Sequence, residues 1–346
     1  MIVTSLAPMA VTGLLVAQVT LQPQPAADPL AFFQPLVKLS AKERQRISGG
    51  AALIRVLPGS DQEVAVFGAV PIRVDGERLV LWVRNIAELK KSSVVMSIRR
   101  FSDPPRIDDL DELALEDADL EDIRRCRPGD CEVKLAAAEI ERLQGAIAGA
   151  DATWKPRLQQ AFRELVLQRV EMYLTSGHAA LSRYDDHDGS LPRDTAFSSI
   201  MQRSPYLTEQ LPRFAEYLDR YPHAAIEDVE SFVYWSKEHF AGKPVISATH
   251  VSIFRGSDPD LPTTLVAGKQ IFATHYMDGA LSVTAIVRDG SASQHYLTYL
   301  NRSRLDVLDG FFGGLVRSII ERRLRADASD LLQGFRRRLE SGEPPS

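Results

Sequence analysis

The sequence predicts an α+β fold: a curved antiparallel sheet closed by one long C-terminal helix, with a helical subdomain inserted between two β-rich regions. Three observations carry this. Four extended runs, at 245–255, 263–277, 279–289 and 294–305, follow one another with short turn signals between them. The stretch Gly310-Phe311-Phe312-Gly313-Gly314 then breaks the pattern, and residues 315–339 take helical spacing. Residues 136–222, between the early strands and this meander, also read as helical. The expected organisation is a signal peptide or apolar tail with linker at 1–29 and a first half-domain at 30–135. The insertion at 136–222, a second half with the closing helix at 223–340 and a tail at 341–346 follow.

Taken in order, Met9 to Val19 is apolar and uncharged. It is shorter than the about 20 residues a membrane span requires. It fits the apolar part of a secretory signal, although Met1 to Pro8 holds no Lys or Arg. A frayed apolar tail is the alternative. Ser40 with Glu43 three residues on forms a capping box that starts a short helix, and Gly49-Gly50 ends it. Two strands, 52–57 and 63–72, flank a Pro58-Gly59 turn; Val64, Val66 and Gly68 share one face of the second. Leu79, Trp82, Val83, Ile86 and Leu89 recur at helical spacing over 78–91, and a strand follows at 94–101. The acidic block at 108–122 is interleaved with Leu110, Leu113, Leu115 and Leu120, so it reads as a solvated face packed by its leucines.

Cys126 and Cys131 enclose Arg-Pro-Gly-Asp, strong turn chemistry that brings two sulfurs together. A small disulfide is expected in an oxidising compartment, a bacterial periplasm or the exterior. Free thiols or a metal site are the other readings, but C-x4-C has no second Cys or His pair nearby. Helices follow at 136–147, 155–176, 193–202 and 207–221. Asp228 then begins the aromatic strand with Phe232-Val233-Tyr234-Trp235.

The balance of 45% hydrophobic and 25% charged residues is that of a globular protein. A net charge of −5 argues against nucleic acid as a partner. Arg336-Arg337-Arg338 reads as a solvated last helical turn favoured by the helix dipole. Catalytic signatures are missing: no G-x-S-x-G, phosphate loop, G-x-G-x-x-G or H-E-x-x-H occurs. Asp185 to Gly189 looks like a calcium loop but lacks the ligand positions, and reads as a polar turn. His250, His275 and His295 fall on successive strand regions. Strand side chains alternate between faces, so wall or surface histidines are expected rather than a zinc site. Along the last strand, His295, Leu297, Tyr299 and Asn301 share one face. Tyr296, Thr298, Leu300, Arg302 and Arg304 share the other, read as the outside or the mouth of a cavity, where a surface salt bridge or a ligand headgroup awaits Arg302.

The order of helix, two strands, Trp-bearing helix, strand, helical interruption, β-meander and long final helix resembles the helix-grip fold. More narrowly it is similar to steroidogenic-acute-regulatory-type lipid-transfer (START) domains and their bacterial relatives. Val64-Ala65-Val66-Phe67-Gly68 with Leu81-Trp82-Val83-Arg84-Asn85-Ile86 carries the likeness at one end. Tyr296-Leu297-Thr298-Tyr299-Leu300-Asn301, the glycine break and the final helix carry it at the other. The resemblance implies a closed apolar cavity for a lipid or sterol-like molecule, with the last helix as lid. The leading expectation is therefore an exported, non-catalytic carrier of a hydrophobic small molecule or lipid, in transient contact with membrane, needing no cofactor or metal. Trp235, His250, Phe272, Tyr276, Leu297, Tyr299, Asn301, Phe311 and Phe312 are its candidate ligand contacts. The family also holds cyclases and hydrolases, so the alternative is an enzyme with His250, His275 and Tyr299 as acid–base groups. A module that docks a protein through the insertion is the third reading.

Overall fold

In a computed structural model, the described residues are 28 and 30–344, apart from loop positions 61, 150–151, 182, 188–191, 228, 257, 259–260, 289–293 and 310–312. The N-terminal apolar segment, Phe311 and Phe312 lie outside the described residues.

The strands are β1 (Leu53–Leu57), β2 (Glu63–Ile72), β3 (Val95–Arg100), β4 (Val229–Phe240), β5 (Lys243–Arg255), β6 (Thr264–Ala273), β7 (Met277–Arg288) and β8 (His295–Leu305). They form one open antiparallel sheet in the order β1-β2-β8-β7-β6-β5-β4-β3. The early strand β2 therefore pairs with β8, Gly68 opposite Tyr299, and β3 pairs with β4. The helices are α1 (Ala41–Ser48), α2 (Gly76–Arg84), α3 (Ile86–Lys90), α4 (Asp117–Arg125), α5 (Ala137–Ala146), α6 (Trp154–Ser176), α7 (Arg193–Gln202), α8 (Pro205–Thr208), α9 (Pro212–Arg220) and α10 (Gly313–Glu340).

Local chemistry explains the element ends. Ser40 and Glu43 make the capping box of α1: Ser40 Oγ accepts from the Glu43 amide at 3.3 Å, and Glu43 Oε2 accepts from the Ser40 amide at 2.9 Å. Asp75 caps α2 by accepting from the Arg78 amide. The single helix expected at 78–91 is two, parted at Asn85, whose φ of −100° and ψ of 60° leave the helical region. The helix expected at 207–221 is likewise α8 and α9. Pro212, at the start of α9, cannot donate to a helix running through from α8. The strand expected over 263–277 stops at Ala273, and Tyr276 sits in the following turn with a φ of 64°.

Each face of the sheet has its own cover. On what we call the back face, the insertion and the N-terminal turns pack in two clusters. Phe67, Leu265, Val283 and Leu300 meet Phe33, Phe197, Tyr206 and Phe214. Trp235, Ala248 and Phe272 meet α6 through Phe162, Leu165 and Tyr173, with Leu110, Leu113, Leu115 and Leu120 of the acidic block beside them. The helical region thus starts ahead of residue 136, with a 3-10 turn at Ile107–Leu110 and then α4. Cys126 and Cys131 are disulfide-bonded at its edge.

On the front face, Val70, Phe232, Val251, Ile253, Val266, Ile286 and Leu297 pack under α2, α3 and the C-terminal end of α10. With 28 residues, α10 is about 42 Å long. Both ends are fixed. Arg317 donates to the Glu63 and Ser60 carbonyls, each at 2.7 Å. Arg338 donates to the Leu89 and Lys91 carbonyls at the end of α3, and Trp82 Nε1 donates to the Gly342 carbonyl at 2.9 Å. Gly68 lets the helix approach β2: a Cβ there would lie 3.1 Å from Leu332 Cδ2. At the start of the helix a Cβ on Gly313 would lie 2.0 Å from the Leu308 carbonyl oxygen, so only glycine fits.

Candidate functional site

The middle of the front face is different. Strand alternation puts Leu281, Val283 and Ala285 of β7 on the back face, where they are buried, and Ser282 and Thr284 on the front, where they are only half-buried. The same holds across the neighbouring strands. Ser247 and Thr249 of β5, Gly268 of β6, and Asn301 and Ser303 of β8 keep part of their surface, and Tyr299 is 37% exposed. These strands are internal to the sheet, and α10 packs on the β1–β2 side of the same face. The register brings the group together: Ser282 pairs with both Asn301 and Gly268, and Thr284 pairs with Tyr299.

A polar cluster lies on the same face. Lys90, at the end of α3, donates to Glu238 Oε1 at 2.5 Å and Tyr234 Oη at 3.2 Å. Ser236 also donates to Glu238 Oε1, at 2.5 Å. Burial works against the Lys90 ammonium, but Tyr234 and Glu238 outweigh it and hold its pKa above the ordinary lysine range. Burial likewise raises Glu238, and the Lys90 charge overrides it, keeping the carboxylate ionised below its usual value. Burial pushes the Tyr299 phenol up to about 12, against the pull of Lys90. Strands β8 and β4 stand four places apart, about 19 Å in a flat sheet. Tyr299 nevertheless interacts electrostatically with Lys90, Tyr234 and Glu238.

Of the residues expected at a ligand, Leu297, Tyr299 and Asn301 lie on this face. Trp235, His250 and Phe272 do not. Trp235 is buried on the back face, donating from Nε1 to the Asp109 carbonyl at 2.8 Å. Phe272 packs there on Phe162. His250 Nδ1 lies 2.9 Å from the Tyr173 hydroxyl of α6. Burial first, and then the Lys269 charge, lower its pKa to about 3, so the ring is neutral. Tyr276 sits at the β6–β7 turn against Phe240 and His275. His275 faces α4 and the segment after the disulfide, with Nδ1 2.9 Å from the Glu132 carbonyl and Nε2 3.2 Å from Asp119. His250, His275 and Tyr299 thus occupy three places. His295 starts β8 near Ile72, so the three histidines do not converge.

Arg302 reverses its expected position. The alternation along β8 holds, but the Arg302 face is neither outside nor a cavity mouth. Arg302 is 1% exposed and paired with Glu63, itself buried, beneath the insertion. The insertion covers that face and supplies Arg203, 3.4 Å from Glu63. The unexpected members of the front cluster are Lys90, Tyr234, Ser236 and Glu238. Tyr234 and Glu238 stand on the alternate face to Trp235, a signal present in the sequence once the face of β4 is known.

One further cluster lies near the start of α10. Lys134 Nζ meets Asp186 and Asp278 at 3.0 Å each and Asp306 at 2.5 Å. Asp186, His187 and Asp306 come close enough together to hold a metal ion, but the ammonium already lies between the aspartates. Asp186 belongs to the segment read as a polar turn, and its carboxylate is bound rather than solvated.

The class that fold and site define is thus an α+β protein with one open eight-stranded antiparallel sheet, a long C-terminal helix over one face and a helical insertion over the other. No family model matches the chain, and no curated protein matches it. Among solved structures, one described as the crystal structure of TTHA0849 from Thermus thermophilus aligns at 15% identity. It covers 41% of this chain and 90% of its own, with a TM-score of 0.24.

Proposed function

We propose that the front face beside α10 binds an amphipathic small molecule, and that the chain is an exported carrier of the START-like, helix-grip kind. One observation carries the reading. Tyr299 keeps 37% of its surface exposed in the interior of the sheet, and its front-face neighbours Ser282, Thr284 and Asn301 stay half-buried beside it. A group of internal-strand residues left with open surface is where a sheet face can take a ligand.

The lining refines the ligand. Ser282 donates to the Gly268 carbonyl and Asn301 accepts from Ser303, but a pure hydrocarbon would cover Thr249 and Thr284 without offering them a partner, at roughly 1–3 kcal/mol for each polar group left unsatisfied. A molecule with an apolar body and oxygen functions suits the face better. Lys90 and Glu238 neutralise one another, so they offer a donor and an acceptor to an uncharged hydroxyl or carbonyl. The disulfide supports export. Among the described residues no helix is long and apolar enough to cross a membrane.

Native mass spectrometry of the purified protein, followed by organic extraction, tests the reading. A co-purifying amphipathic molecule, lost in Thr284→Trp, which crowds the half-buried front face beside Tyr299, is the expected result. A clean apo mass with no uptake from a lipid extract sinks it. Turnover of the extracted molecule that Tyr299→Phe abolishes while binding persists would instead make the face an active site.

A further inference from the structure

We propose that the N-terminal half of α10 docks on an anionic lipid surface. The proposal stands on the outer face of the helix and does not need the front-face ligand. Leu315 is 62% exposed and Ile319 38%. They are four residues apart and so lie one above the other on a single helix face. Arg322 and Arg323, three and four residues beyond Ile319, continue that side and are exposed.

This ridge is not the unfinished edge of the core. The inward residues of the same turns, Val316, Ile320 and Leu324, pack against Val64, Leu305 and Leu308. Nor is its charge spoken for. Glu321 pairs with Arg317 and Arg325, and Glu340 with Arg336. Among the described residues neither Arg322 nor Arg323 has an acidic partner. From Gly313 to Arg325 the helix carries four arginines against one glutamate. From there to Glu340 the two signs balance. In a chain of net charge −5, this half-helix is a local positive patch crowned by aliphatic side chains.

That combination selects the partner. Arginines alone would suit any polyanion, but Leu315 and Ile319 give a nucleic acid nothing to stack on. An acidic protein would need a shaped counter-surface for them. A membrane interface accepts aliphatic side chains at the acyl boundary and arginines at the headgroups without shape matching. Each arginine near an anionic leaflet strengthens binding about fivefold.

The test is flotation of the full chain with vesicles of phosphatidylcholine containing 30% phosphatidylglycerol, compared with phosphatidylcholine alone. The expected result is partition onto the anionic vesicles only, weakened in 0.5 M NaCl. Arg322→Glu/Arg323→Glu should reduce it at least about 25-fold, and Leu315→Ser/Ile319→Ser severalfold, with melting temperatures unchanged because all four positions are exposed. Equal partition onto both vesicle types, no partition, or indifference to the arginine reversal overturns the proposal. Salt-sensitive binding that ignores Leu315→Ser/Ile319→Ser also overturns it, and assigns the face to a soluble polyanion.

Discussion

Lys134 has no exposed surface, and three carboxylates from separate parts of the chain close on its ammonium. Burial opposes its charge, but Asp278, Asp306 and Asp186 outweigh burial and keep it protonated. Removing the cation leaves three carboxylates in a desolvated place, partly offset by Arg304, 3.7 Å from Asp278, so Lys134→Met should cost about 3–5 kcal/mol in urea unfolding. Glu43 is the opposite case, a half-exposed group with a small effect. Arg55 first, then Ser40, hold its carboxyl at about 2, below an ordinary 4.5. A depressed folded pKa contributes stability above about pH 4.5 that is lost as the pH falls toward 2. Glu43→Gln should therefore cost up to about 1 kcal/mol at pH 7. Chemical denaturation at pH 2.5 should find that gap nearly closed. The capping box behind this effect was legible from four residues of sequence. Which of Tyr234 and Trp235 lies on the front face was not. In a strand a shift of one residue exchanges the faces, and both rings are apolar enough for either side.

At the scale of elements, α10 and β2 meet where the sequence places a glycine inside a strand. Gly68→Val would push a branched side chain into Leu332 and Ile54, and overpacking of this kind costs about 1–3 kcal/mol. Thermal unfolding measures the loss, and hydrogen exchange should show it concentrated in the second half of α10. Arg338→Ala should act more gently. It removes the two bonds to the end of α3, so amides of 330–340 should exchange faster with little change in global stability. The strands and most helices were legible because their apolar periods are clean. The exceptions have local causes: Asn85 parts α2 from α3, and Pro212 begins α9. Tyr276 takes a left-handed turn conformation that its residue type does not advertise.

At the scale of the molecule, one sheet has two covers of different character. The back is packed by the insertion around Trp235, Phe162 and Tyr173. The front is bridged by a helix held at its ends. Helices between β3 and β4 were legible from apolar spacing, although they begin ahead of residue 136, but the face they cover was not, since helical periodicity says nothing of where a helix lands. Arg302 was for that reason expected outside. A buried arginine with its counterion reads the same in sequence as a surface one. The disulfide, clamping a loop of a few residues, should contribute about 2 kcal/mol by chain entropy. The reduced protein is expected to fold with a correspondingly lower melting temperature, which calorimetry with and without reductant measures.

The pairing of β2 with β8 has a consequence for biosynthesis. Glu63 faces Arg304 across the ladder, so β2 leaves the ribosome more than two hundred residues before its partner, and α10 follows later still. During translation β1 and β2 have only each other, while the long central strands emerge with their front face uncovered. Contacts so distant in sequence close slowly, and unpaired strands are the segments most exposed to aggregation meanwhile. A chain built this way depends on protection of its nascent strands until the strap arrives.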